Sequence, residues 1–208
     1  MRAEREPVWV LDPQAIANEE PTWWWNPLSY VTGEVRAARL SEHFAAGSRD
    51  PGACTDAYFD PAGQDLLAGL LLAAALDGRP ITDVYTWLTR PTDETAVDVL
   101  RDHGFPLTAD QVAGFVAAPE KQRGGVFGTA QQMASCLTNR QVAAWVTPQG
   151  PADTRPQFVP GDLCASAAAP CTRCPRRAAA PPARSSPPSP SQSSRQPRSS
   201  PHAPPPGG

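Results

Sequence analysis

Apolar positions along the chain predict one short strand followed by a series of helices. Residues 8–11 form a β-rich run, Val-Trp-Val-Leu, that stops at Asp12-Pro13, so we expect a buried strand ending in a turn. From residue 34 onward the apolar residues recur at helical spacing. The predicted helices are 34–46, 60–76, 83–88, 92–103, one opened by the capping-box residues 108–111, 120–137 and 140–146.

The helix predicted over 60–76 is apolar nearly all round, which is typical of a buried central helix. We expect Asp60 as its N-cap and Pro61 as its first residue, with Gly78 near its C-terminus. In the helix predicted over 120–137, three glycines indicate close packing or a kink: Gly124, Gly125 and Gly128.

Charge and composition divide the 208 residues into a body and a tail. Residues 1–163 hold 12 basic and 21 acidic residues, a net charge of −9, which argues against a generic nucleic-acid binder. Residues 164–208 hold six Arg, no acid and 12 of the 26 prolines. Because such a segment buries too little apolar surface to offset its chain entropy, we expect a disordered Pro/Ser/Ala/Arg tail.

Motifs of catalysis and metal binding are missing from the sequence. It has no Gly-x-x-x-x-Gly-Lys-Ser/Thr phosphate loop, and its one lysine, Lys121, follows Glu120. The three histidines lack ligand partners at i+3 or i+4, so we interpret them as structural or solvated. They are His43, His103 and His202. Three tail cysteines have an irregular spacing that disfavours zinc: Cys164, Cys171 and Cys174. We predict no catalytic residue and no metal site.

The sequence also indicates the compartment. The charged N-terminus lacks the apolar stretch of a signal peptide, and the longest apolar run, 66–76, has 11 residues where a membrane helix needs about 20. The body has only Cys54 and Cys136, too few for a disulfide framework. We therefore expect a cytoplasmic protein that does not itself insert into a membrane.

Two features are candidate sites. Asp12 follows the predicted first strand, and ligands of open α/β sheets bind at the carboxyl ends of strands, although a turn-capping role is favoured over catalysis. Trp23, Trp24 and Trp25 are interpreted first as packing residues. The other possibilities for them are binding of a protein partner and base stacking, which basic residues among them would favour.

Five motifs, in this order, resemble those of one family. The stretch that holds them, about residues 7–163, is similar to the coupling ATPases of type IV secretion and conjugation, the TraG/TraD-like group. The motifs are VWVLDPQ at 8–14, WNPL at 25–28, DLLAGLLLAA at 65–74, ITDVYTWL at 81–88 and VFGTA at 126–130.

The resemblance implies a hexameric, membrane-anchored translocase that uses ATP and Mg²⁺ to move DNA or protein. Its α/β P-loop nucleotide-binding domain carries an all-helical insertion. Residues 1–33 would be a fragment of the nucleotide-binding domain with one strand and the Trp-rich loop, and 34–147 the helical insertion. Residues 148–163 would be the linker back, followed by the tail, 164–208. By similarity Asp12 would lie near the nucleotide.

Further expectations concern what the chain lacks and what it binds. The family's membrane helices and phosphate loop (Walker A) should lie upstream of Met1, and its second acidic motif (Walker B) downstream of about residue 163. We therefore leave enzymatic activity of the chain itself open and assign no cofactor to it. The implied partners are other segments and subunits of the ATPase, a DNA or DNA–protein substrate and the membrane secretion complex. The alternative is a non-enzymatic helical module that binds a protein through an exposed Trp loop.

The tail carries a separate hypothesis. Consider the reading frame in which each new codon takes the last base of one codon and the first two bases of the next. Every Cys codon then supplies TG as second and third bases, and codons of that form encode only Leu, Met or Val. All three tail cysteines then become apolar. We expect residues after about Leu163 to be translated out of frame from a GC-rich gene, the alternative being a natural Pro-rich linker.

Overall fold

A computed structural model describes residues 10–14, 16, 20–49, 56–150 and 152–160 of the protein. The chain divides into two units, Met1–Ser166 and Ala167–Gly208, and the second lies outside the described residues, as do the tail predictions. Seven α-helices lie in the described ranges: α1 Glu34–Ser48, α2 Phe59–Leu76, α3 Thr82–Leu88, α4 Thr95–Asp102, α5 Pro106–Val116, α6 Glu120–Met133 and α7 Arg140–Val146. Two 3-10 turns, Pro27–Tyr30 and Ser135–Thr138, and two short strands, β1 Trp24–Trp25 and β2 Gln157–Phe158, complete them. The prediction of a mostly helical body is confirmed.

Helix α2 forms the centre of the bundle, as its all-round apolar sequence predicts. It packs against α1, α3, α4, α5 and α6. Leu66, Leu67 and Leu71 are fully buried in it. Burial of these side chains is the main source of stability for such a bundle, because isolated helices of this length are marginal in water.

The two ends of α2 differ in how well they were predicted. The helix starts at Phe59, and the Asp56 carboxylate accepts the amides of Tyr58 and Phe59 at 2.8 Å each. Asp60 lies in the first turn and Tyr58 is at the N-cap position, so the predictions of Asp60 as N-cap and Pro61 as first helical residue are wrong, because the helix begins two residues before Pro61. Beyond the C-terminus Gly78 has φ +63°, the left-handed geometry that the sequence predicted.

The capping box at 108–111 does not open a helix. Helix α5 begins two residues earlier, at Pro106, whose ring suits the first helical position. Thr108 is therefore inside the helix, and its hydroxyl donates to Glu34 Oε1 at 2.6 Å. A tertiary contact with α1 has replaced the local cap.

Close packing at a glycine is confirmed in α6. A Cβ atom built on Gly125 would overlap the Phe59 ring of α2, so the ring lies where a side chain at position 125 would otherwise stand. The helix is continuous from Glu120 to Met133, so none of its glycines breaks it. It ends four residues before the predicted end at 137, and Ser135–Thr138 follow as a 3-10 turn.

The strand predicted over 8–11 is wrong for the residues that the structure describes. Val10 and Leu11 lie outside any strand and are 46% and 58% exposed, while Val8 and Trp9 lie outside the described residues. A strand needs a neighbour for its backbone hydrogen bonds. In the described part of the chain that pairing is made by Trp24–Trp25, which run parallel to Gln157–Phe158.

Candidate functional site

Asp12 has the local role that its position after the first apolar run favours. Its side chain is buried, and Oδ1 accepts the amide of Ile16 at 2.9 Å. This contact caps the turn that follows the run. Its nearness to a nucleotide stays a prediction from the family resemblance.

Trp23 packs inside the protein. Its ring lies 5.3 Å from the Trp145 ring, nearly edge-on at 70°, and 5.1 Å from the Phe158 ring. The indole Nε1 donates to the Val10 carbonyl at 2.9 Å. These three rings form what we term the aromatic cluster, which joins the N-terminal segment, α7 and β2. Packing is thus the role the structure describes for Trp23, whose side chain is buried.

Trp24 and Trp25 are half-buried in β1. The Trp24 amide donates to the Pro156 carbonyl at 3.2 Å, which anchors β1 to the segment leading into β2. The Trp25 Nε1–H is buried without an acceptor among the described residues. A partner-binding role for either residue stays a prediction.

The strongest polar constellation in the described residues was not foreseen from sequence. Arg155 donates to both carboxylate oxygens of Asp153, at 2.6 Å in the shortest bond, and to the carbonyls of Ala144 at 2.8 Å, Thr147 at 3.2 Å and Pro21 at 3.4 Å. The two side chains are only 14% and 6% exposed. Hydrogen bonds from Arg155, and from the amides of Gln149 and Arg155, hold the pKa of Asp153 well below its usual range.

This constellation has a weak signature in the sequence. Asp153 accepts the Arg155 amide at 3.0 Å, the two-residue spacing of an Asx turn, and Asp-x-Arg is compatible with that turn. The spacing cannot show that Ala144 and Pro21 come within reach of the guanidinium, because they are 11 and 134 residues away.

An apolar groove of about 480 Å³ lies beside Trp25. Its walls come mainly from β1, the C-terminal half of α1, the turn 135–138 and α7, with Pro27, Ile81 and Met133 also lining it. Its polar members are His43, Ser48, Ser135 and Cys136. Cys136 is exposed as a residue, and partial desolvation of its thiol raises the pKa of that group. The main apolar wall residues are Trp25, Leu40, Phe44, Leu137, Val142 and Val146.

A smaller cleft of about 290 Å³ separates α1 and α2 from α5. Two carboxylates border it, and each is held by α5: Glu34 accepts the Thr108 hydroxyl, and Asp65 accepts the Gln111 amide at 3.2 Å. These bonds tie helices together, which is a structural role.

The described ranges bear on two further questions, metal binding and membrane insertion. No group of three His, Cys, Asp or Glu side chains there is placed to hold a metal ion. His103 Nδ1 lies 2.9 Å from the Val99 carbonyl, a helix-capping contact, while His202 and the tail cysteines lie outside the described residues. One described helix, α2, is long and apolar enough to span a membrane, and half of that stretch is buried inside the bundle.

The described residues bring together no nucleophile–base or paired-acid arrangement around the predicted site residues. Instead, Trp23, Arg155 and the groove beside Trp25 all lie where the chain enters and leaves the helical bundle. Comparison with family models, with curated proteins and with solved structures found no match.

Proposed function

We propose that this chain is part of a TraG/TraD-like coupling ATPase of type IV secretion or conjugation and supplies its inserted helical domain. One observation carries the proposal. β1 and β2 are hydrogen-bonded parallel neighbours, in the register Trp24 with Gln157 and Trp25 with Phe158. An inserted domain must leave and re-enter its host at adjacent points, and residues 26–156 make one such helical excursion.

The parallel direction of the pair supports a host sheet. Parallel strands occur almost only in larger sheets whose faces are covered by helices, and strands are usually at least three residues long. Here each strand has two residues, and apolar Val10, Leu11 and Val159 beside the pair are about half exposed. An α/β nucleotide-binding domain would extend the sheet and cover these side chains.

Under this proposal the chain alone does not hydrolyse ATP. Phosphoryl transfer depends on a preorganised phosphate-binding backbone, a lysine and Mg²⁺ ligands. The single lysine, Lys121, is exposed in the first turn of α6 and follows no glycine-rich loop. ATP and Mg²⁺ belong to the full-length ATPase, which moves a DNA or DNA–protein substrate through a membrane secretion complex from the cytoplasmic side.

The decisive experiment is to read the nucleotide sequence on both sides of this coding region. We expect a phosphate loop encoded upstream, and an acidic ATPase motif encoded beyond residue 163 in another frame. A repaired gene joining these segments should yield an ATPase. Its phosphate-loop Lys→Ala variant is the matched control and should be inactive, as should the 208-residue chain.

Two outcomes would overturn the proposal. One is the absence of a phosphate loop and of an acidic motif in every frame of the flanking DNA. The other is nucleotide turnover by the purified 208-residue chain itself, because the proposal places all the phosphate and magnesium ligands elsewhere.

The alternative function is a non-enzymatic helical module that binds a protein. The observation that favours it is the apolar groove beside Trp25, since most functional pockets are concave, apolar and of this size range. Trp23 is not available for such binding, because it is buried in the aromatic cluster. An isolated gene with its own promoter would favour this alternative over the ATPase.

A further inference from the structure

We propose that residues 20–25, 139–150 and 152–160 form a flap, a second cooperative unit that opens while the helical bundle stays folded. Arg155 is the residue that holds this flap together. The inference depends only on the geometry of this chain, so its test is independent of the proposed ATPase origin.

The flap has an apolar cluster of its own. Trp23, Trp145 and Phe158 pack on one another, whereas the main core is built from α1 to α6 and the two 3-10 turns. Of the apolar side chains of the flap in the described structure, only Val146 packs against that main core, where it is partly buried, and α7 also contacts the adjoining 3-10 turn Ser135–Thr138. Separate apolar clusters commonly unfold as separate units.

The bonds of Arg155 stay inside the flap. Its guanidinium joins three segments: the entering chain at Pro21, the C-terminal end of α7 at Ala144 and the following Thr147, and the returning chain at Asp153. Charge-assisted hydrogen bonds with little exposure are among the stronger polar contacts in proteins. They therefore make the flap move as one body and do not fasten it to the bundle.

The seam between flap and bundle is incompletely filled. The groove of about 480 Å³ lies along it, with Trp25, Val142 and Val146 on the flap side and Leu40 and Phe44 on the bundle side. Side chains that face a gap lose dispersion contacts that close packing would provide. The seam is consequently weaker than the interior of either unit.

Both connections to the bundle occur at capped element ends. Asn26 Oδ1 accepts the Leu28 amide at 3.0 Å and starts the first 3-10 turn, on the bundle side. Asn139 Oδ1 accepts the Gln141 amide at 2.9 Å and starts α7, on the flap side. Because each cap is local, a change of backbone angles at these junctions leaves both neighbouring elements intact.

The test is amide hydrogen exchange of the full 208-residue chain, comparing wild type with Arg155→Met. We expect the protection of α7 and β1 amides to fall by about tenfold or more, since several charge-assisted bonds are lost, with α2 and α6 unchanged. The matched control is Arg101→Met, whose ion pair with Asp110 is 3.4 Å long and exposed, and it should change neither unit.

Equal loss of protection in α2 and α7, or no loss in either, would overturn the proposal. If Arg155→Met fails to fold, the deciding measurement is amide hydrogen exchange of the wild type at increasing urea concentrations below its unfolding transition. The flap amides should then share one opening with a lower free energy than that of the α2 amides. A single common opening for both sets would equally overturn the inference.

Discussion

At the residue scale, Asp153 and Arg155 show how a short motif becomes a partly buried contact between distant segments. The pair joins an Asx turn to carbonyls supplied by α7 and by the entering chain. Little of the Asp153 side chain is accessible, and the hydrogen bonds to its oxygens come from the Arg155 guanidinium and from the backbone amides of Gln149 and Arg155. Because these hydrogen bonds are made to the charged carboxylate, they favour the ionised form of Asp153.

A pH dependence follows from the lowered pKa of Asp153. Folding favours the carboxylate, so its stabilising effect is complete above the usual aspartate pKa of about 3.9 and is lost as pH falls through the folded value. We expect exchange of α7 amides, corrected for intrinsic rates, to be steady from about pH 5 to 7 and to accelerate at lower pH. In Asp153→Asn, α7 should be less protected near neutral pH and lack this acid step. An acid step of full size in that variant would contradict the assignment.

Gly125 offers a second test at this scale. Gly125→Ala would drive a methyl group into the Phe59 ring, so we expect the free energy of unfolding to fall by about 1–3 kcal/mol. Gly124→Ala and Gly128→Ala are matched controls in the same helix, because a Cβ at either meets open space. They should stabilise by roughly 0.5–1 kcal/mol. Urea unfolding measures all three, and equal effects would contradict the close approach of α2 and α6.

At the scale of elements, the bundle depends on α2. Helix α2 contacts every other helix from α1 to α6 and its leucines are buried, whereas exposed apolar residues elsewhere, such as Leu107, lie in solvent. Burial in this one helix therefore decides the stability of the bundle.

The α2 prediction compares two leucines. Leu71→Ala removes a fully buried side chain and leaves a cavity, so unfolding should become easier by about 2–5 kcal/mol. Leu107→Ala, at a residue that is 82% exposed, should change stability by less than about 0.5 kcal/mol. Chemical denaturation followed by circular dichroism reports both, and similar losses would show that α2 is not the central helix.

Elements also show where sequence patterns succeed. Helix α7 was predicted over 140–146 and runs from Arg140 to Val146, because Asn139 caps it locally and Pro148 follows closely. Helix α5 was predicted to start at a capping box, but Thr108 bonds to Glu34 of α1. Local signals are reliable where the capping partner is itself local, and they fail where a distant residue competes for the same side chain.

At the scale of the whole molecule, the bundle and the flap should differ in resistance to proteolysis. We expect a broad-specificity protease such as subtilisin to leave a fragment containing α1 to α6 longest, because those helices share the main core. Mass spectrometry of the time course identifies the fragment. Survival of residues 1–30 as the most protected segment would contradict this, since Val10, Leu11 and Ile16 are exposed there.

The candidate site also shows that local sequence signals fail where distant residues take part. Asp12 could be singled out from the sequence as a carboxylate after an apolar run. Trp23, Trp24 and Trp25 could be singled out as three consecutive aromatic residues. Which tryptophan is buried could not, since Trp23 meets Trp145 and Phe158 only after the bundle has brought the chain ends together. The groove beside Trp25 has no sequence signature, because its walls come from elements that are distant in sequence, among them β1, α1 and α7.

The sequence by itself determined the helical character of the body, the central position of α2 and the left-handed glycine, Gly78, that follows that helix. These features depend on periodicity and backbone preferences within a few residues. Tertiary structure alone decided the parallel pairing of Trp24–Trp25 with Gln157–Phe158 and the reach of Arg155 to Pro21. Both join residues more than 130 positions apart, and such contacts depend on how the intervening helices pack rather than on any local pattern.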